Sequence, residues 1–108
     1  MKHVVYKVHN VEAWRKHCAY LNEHQNEALA SMELENCVYE RCVLFERNEE
    51  TYLVGSAKFL GTPVPADQTL EVNKRHKAAK CFLSPAVAVF KGEFILPKEY
   101  EVLYEFEL

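Results

Sequence analysis

His76 is the residue of this chain whose type and setting most invite chemistry. It stands in "NKRHKAAKCF", on an apolar stripe of Val72, His76, Ala79 and Leu83 that recurs at intervals of three and four. An imidazole titrates near neutrality and can relay protons or bind a metal, so His76 reads as a pocket base and the candidate catalytic residue. The commoner fate of a histidine on an apolar helix face is a core residue satisfied by one hydrogen bond, and both readings stand at this point. Strand parity draws a second set. Lys7, Glu40, Lys58 and Glu105, two acids and two cations, converge on one face of a sheet, where they would be ligand-binding or acid–base groups around a cavity. The plainer role for such residues is cross-strand ion pairing.

Other groupings lead less far. Glu23, His24 and Glu27 share a helix face at rough metal-ligand spacing, but no matching pair occurs on another helix; a solvated face accounts for them, and no metal is expected. The basic run Lys74, Arg75, His76, Lys77 and Lys80 falls late in a helix, where cations favour the negative end of the dipole. Cys42 and Cys81 have no sequence-local base and no glycine-rich oxyanion loop. With Cys18 and Cys37 they form neither CxxC nor zinc-finger spacings, and they read as reduced thiols of a cytoplasmic protein. A net charge of -3, without a concentrated excess of Lys and Arg, excludes a nucleic-acid surface. No apolar stretch follows Lys2, and nowhere do about 18 apolar residues run together, so neither export by this route nor a membrane partner is expected.

The elements that must position these residues follow from periodicity. At 108 residues the chain is read as one domain spanning 1–108. "HVVYKVH" alternates as a strand. Asn10 then caps a helix whose apolar positions, Val11, Trp14, Cys18, Leu21, Ala28, Leu29 and Met32, form one stripe. "CVYERCVLFER" and "TYLVGSAKFL" flank the polar turn "NEE" as a hairpin. Asp67 is placed to cap a second helix running to about Leu83, and "SPAVAVFKGEFILP" is an irregular connection with a small hairpin turning at Lys91 and Gly92. "YEVLYEFEL" closes the chain as a strand with Tyr104 and Phe106 on one side and Glu101, Leu103, Glu105 and Glu107 on the other.

The order βαββαβ predicts an α+β, ferredoxin-like fold: a four-stranded antiparallel sheet of order 4-1-3-2 with two helices on one face. The open face should then hold Val5, Lys7 and His9, then Glu40, Cys42 and Leu44, then Val54, Ser56 and Lys58, with Leu103 beside them. The central hairpin's first strand is the ambiguous one, because Tyr39, Val43 and Phe45 on its other side are also apolar. Such a face calls for a cover, and a second copy of the chain is the natural one.

On "EALASMELENCVYERCVLFE", "ETYLVG" and "NKRHKAAKCF", the chain resembles the dimeric α+β barrel superfamily, and within it a small bacterial family of uncharacterised function. The resemblance spans nearly everything except residues 84–97. It implies a homodimer packed sheet against sheet and a small-molecule ligand held in a crevice or barrel cavity. Because the superfamily includes antibiotic-biosynthesis monooxygenases and muconolactone isomerases, it also implies an alternative. That alternative is a cofactor-independent monooxygenase or isomerase acting on a small aromatic or quinol-like substrate. Haem-degrading members carry a His on the second helix, as His76 is here, with an Asn on the first strand and a Trp near the pocket. In this chain Asn10 follows the strand and Trp14 lies on the first helix, so no cofactor is expected.

Overall fold

The computed structural model describes residues 1–86 and 95–108. The alternation of the N-terminal segment becomes β1 (Lys2–Val8). Asn10 caps the next helix as its spacing predicts, its side chain accepting from the Ala13 N–H at 3.0 Å. That helix is two, α1 (Val11–Glu23) and α2 (Gln25–Leu34), rather than one. The break falls at His24, whose backbone leaves the helical region (φ -114°, ψ 37°) and whose Nδ1 lies 2.9 Å from the Tyr20 carbonyl, with the two rings stacked. Asn36 ends α2 in the left-handed conformation (φ 60°) that asparagine tolerates, and donates to the Thr62 carbonyl at 2.9 Å.

The hairpin forms as expected, from β2 (Cys37–Arg47) and β3 (Glu50–Phe59). Its turn is the two-residue Asn48–Glu49, both at positive φ (52° and 66°), the conformation whose twist matches the flanking strands. The helix α3 (Glu71–Ala79) has Leu70, not Asp67, at its N-cap position. The Asp67 carboxylate instead accepts from the N–H and hydroxyl of Thr69, closing a local turn that competes with helix capping. A 3₁₀ turn (Lys80–Phe82) leads into β4 (Leu83–Pro85), and β5 (Glu101–Glu107) follows. The expected hairpin turning at Lys91 and Gly92 lies outside the described residues. No described helix is long and apolar enough to cross a membrane.

The fold is α+β, with an open antiparallel sheet of order β4-β1-β3-β2-β5. Of the predicted order 4-1-3-2, in which strand 4 is the closing strand, the 1-3-2 adjacency is found, but the closing strand does not lie beside β1. Residues 82–86 take that edge: the Phe82 carbonyl accepts from His9 N–H at 2.8 Å, and Ala86 N–H donates to the Val5 carbonyl at 3.2 Å. The free edge left for β5 is that of β2. Among the described residues the sheet therefore has five strands instead of four, and three α-helices accompany it instead of two.

Register corrects the face assigned to β2. Val5 and Val43 both pair with Val54, and His3 and Arg41 with Ser56, so Arg41, Val43 and Phe45 share the face of Val5, Lys7 and Tyr52. Glu40, Cys42 and Leu44 turn to the helices. There Cys42, Leu44, Leu53, Tyr104 and Phe106 pack with Trp14, Cys18, Leu21, Met32 and Val72 in the main core. The opposite face is not bare: Phe45, Tyr52, Val54 and Ala86 form a second buried cluster, with Val5 and Leu96 packed on it. Leu44 (3% exposed) and Val54 (2%) are covered within the single chain, so their exposure gives no reason for a second copy.

A bulge reorganises β5. Cys42 pairs with Tyr104 but Val43 with Val102, leaving Leu103 as the extra residue. Leu103 packs against the main core instead of joining the open face, and its carbonyl accepts from Asn22 Nδ2 at 2.9 Å. Upstream of the bulge the parity flips. Glu101 pairs with Arg15 of α1 on the helix side, while Glu105 and Glu107 stay opposite Arg41 and Tyr39 on the other.

Candidate functional site

The helix stripes do not close fully on the sheet. Between α1, α2, α3 and the strands lie two adjoining cavities. One, of about 220 Å³, is lined by Ser31, Glu35, Asn73 and Phe106 among others. The other, of about 290 Å³, is lined by Val4, Tyr6, Trp14, Leu53 and Phe59 among others. Glu40, His76, Lys80 and Tyr104 line both. The alternation of β2 turns Glu40 inward, β5 supplies Tyr104 from the neighbouring strand, and the apolar stripe of α3 brings His76 to the same crevice.

Glu40 is half-buried, and its Oε1 accepts from the Tyr104 hydroxyl at 3.1 Å. Burial holds the carboxyl above its usual range, opposed by the hydrogen bond from Tyr104 and more weakly by the charge of Lys80. The Tyr104 phenol is held well above its ordinary value by burial first and by the Glu40 charge second. It therefore stays a neutral donor.

His76 does not act alone. Its Nδ1 stands 2.9 Å from Nε2 of His17 on α1, so one ring donates its N–H to the lone pair of the other. Trp14 closes the cluster, its ring centre 5.3 Å from that of His17 and 6.0 Å from that of His76. Burial lowers both imidazoles to about 4, helped at His17 by Arg75 and at His76 by His17 and Lys80. Both rings are neutral at pH 7. On the polar side of the crevice, Asn73 Nδ2 donates to the Ser31 hydroxyl at 2.7 Å, which donates on to Glu35 at 2.6 Å. A neutral imidazole, a carboxyl of raised affinity for protons and a phenol thus share one crevice. Such a set can bind a polar group and can move a proton.

No family model, curated protein or solved structure matches the chain.

Of the residues singled out from the sequence, His76 and Glu40 come together. Lys7, Lys58 and Glu105 do not: they lie on the other face of the sheet. There Lys7 Nζ donates to Glu50 at 2.7 Å, Lys58 stands opposite Tyr39, and the Tyr39 hydroxyl donates to Glu105. Lys7 and Glu105 thus make side-chain contacts to neighbouring strands. Among the described residues, no group of three or more His, Cys, Asp or Glu side chains is arranged to hold a metal. Sequence reasoning missed His17 and Tyr104 as site residues. His17 lies three residues after Trp14 and four before Leu21, within the α1 stripe by spacing, and only its polarity kept it out. Tyr104 was read as core, which it is; its hydroxyl gains a role only because β2 turns Glu40 toward it.

Proposed function

We propose that the protein binds a small, mostly apolar molecule in the crevice between α1, α3 and the sheet. The observation that supports this is the pair of adjoining cavities with Glu40, His76 and Tyr104 in their shared wall. An apolar lining with a few convergent polar groups of perturbed protonation is the usual form of a ligand site. A thermal-shift screen of small aromatic and alicyclic compounds tests it. A true ligand raises the melting temperature by mass action, and Glu40→Gln or Tyr104→Phe should reduce that rise. A hit whose effect survives both substitutions and shifts no crevice resonance counts against the site.

The second reading is catalytic: a cofactor-independent isomerase or monooxygenase acting on a small aromatic or quinol-like substrate. What favours it is the neutral imidazole of His76 in the same crevice as a carboxyl held protonatable by burial, two groups suited to taking and returning a proton. Turnover of an electron-rich phenol or quinol that disappears in His76→Ala, with the fold retained, supports it. The homodimer belongs to the resemblance with dimeric barrels alone, now that Leu44 and Val54 are covered within the chain. Sedimentation at micromolar concentration decides it, a species of twice the chain mass being the expected result.

A further inference from the structure

Trp14 is 2% exposed, and its Nε1–H is buried without a hydrogen-bond acceptor among the described residues. A buried indole N–H ordinarily finds a partner, and it can only donate. Trp14 lines the 290 Å³ cavity together with the apolar Val4, Tyr6, Leu53 and Phe59, while Glu40, His76 and Tyr104 stand in the wall it shares with the other cavity. A single water, whose share of liquid volume is about 30 Å³, would satisfy the indole but leave most of the 290 Å³ unfilled. The missing acceptor is better supplied by one oxygen on an apolar skeleton. A carbonyl oxygen suits it better than a hydroxyl, because it accepts with no further demand, whereas a hydroxyl would also have to place its O–H on Glu40, Ser56 or His76 elsewhere in the lining. It also suits it better than a carboxylate, because the lining cations, Lys2 and Lys80, are exposed and would leave a buried anion without a desolvated counter-charge.

We propose that this cavity takes a neutral, largely apolar ketone or aldehyde of about the size of one aromatic ring with its substituent, whose oxygen accepts from Trp14 Nε1–H. This rests on the crevice-binding reading and deepens it by naming the ligand class.

The chain has a single tryptophan, so ¹⁵N-labelled protein gives one indole N–H cross-peak, a direct reporter of this atom. Titration with acetophenone is compared with titration with α-methylstyrene, which keeps the shape but replaces the carbonyl oxygen by a methylene group. The expected result is saturable movement of the Val4, Tyr6, Leu53 and Ala57 amides and a downfield shift of the indole proton with acetophenone only. Acetophenone should also bind roughly 2- to 12-fold more tightly, the worth of one neutral hydrogen bond. Trp14→Phe should abolish that preference; where this variant fails to fold, the matched pair on the native protein decides alone. Equal binding of the two compounds with a stationary indole peak overturns the carbonyl proposal and leaves crevice binding standing. If neither compound moves a crevice amide, both readings are overturned.

Discussion

Glu49 occupies a left-handed position (φ 66°) that L residues other than glycine, asparagine and aspartate adopt at a cost of about 1 kcal/mol or more. Its neighbour Asn48 (φ 52°) is one of the tolerant types, so the strain sits at Glu49. Glu49→Gly should therefore raise stability by about 1 kcal/mol, read as a higher urea midpoint at unchanged slope. The His17–His76 pair gives a second expectation. Because burial lowers both folded-state values to about 4 from 6.5, the unfolded chain takes up protons first as pH falls. The stability attached to the pair is complete above about pH 6.5 and is lost toward pH 4. Arg75 and Lys80 reinforce this, while Glu40, whose carboxyl is raised by burial, works in the opposite sense. The urea midpoint should fall between pH 7 and 4.5, and His17→Phe should flatten that fall; an unchanged slope would refute the assignment.

At the scale of elements, β5 shows what was legible and what was not. Its alternation correctly aimed Tyr104 and Phe106 at the helices, and both are buried and stacked on one another. Phe106→Ala should cost about 3 to 5 kcal/mol in denaturant unfolding, since transfer and cavity terms add. Val102→Ala, at a site 46% exposed, should stay within about 0.5 kcal/mol. The position of β5 was illegible, because the edge it takes depends on the three-residue β4 occupying the other, and so short a strand carries no periodic signal. The face of β2 was illegible for a different reason. Both its sides are apolar because both are buried, and only pairing with β3 resolves which is which. Half of the site was lost with it: His76 could be read from a helical stripe, whereas the role of Glu40 waited on the register.

As a whole, the molecule buries apolar side chains on both faces of one sheet, and this sets which thiols can be reached. Cys18, Cys37 and Cys42 are each at most 3% exposed, whereas Cys81 is exposed. The Cys42 thiol beside it, together with burial, also holds the Cys18 thiol above its usual range. An aromatic disulfide reagent should therefore titrate one of the four thiols quickly and the rest only on unfolding; two fast thiols would contradict this packing. Sheet continuity sets a different kind of tolerance at Leu103. Losing a residue from a strand ordinarily turns every side chain beyond it to the wrong face. Here the partners on either side of the gap, Tyr104 with Cys42 and Val102 with Val43, are already those of an uninterrupted ladder. Excising Leu103 should leave the phase of both halves intact and forfeit only its own packing and the bond from Asn22, whereas excising Glu105 should scramble the strand. Leu103 is the one place in β5 where the chain can be shortened without being rewritten.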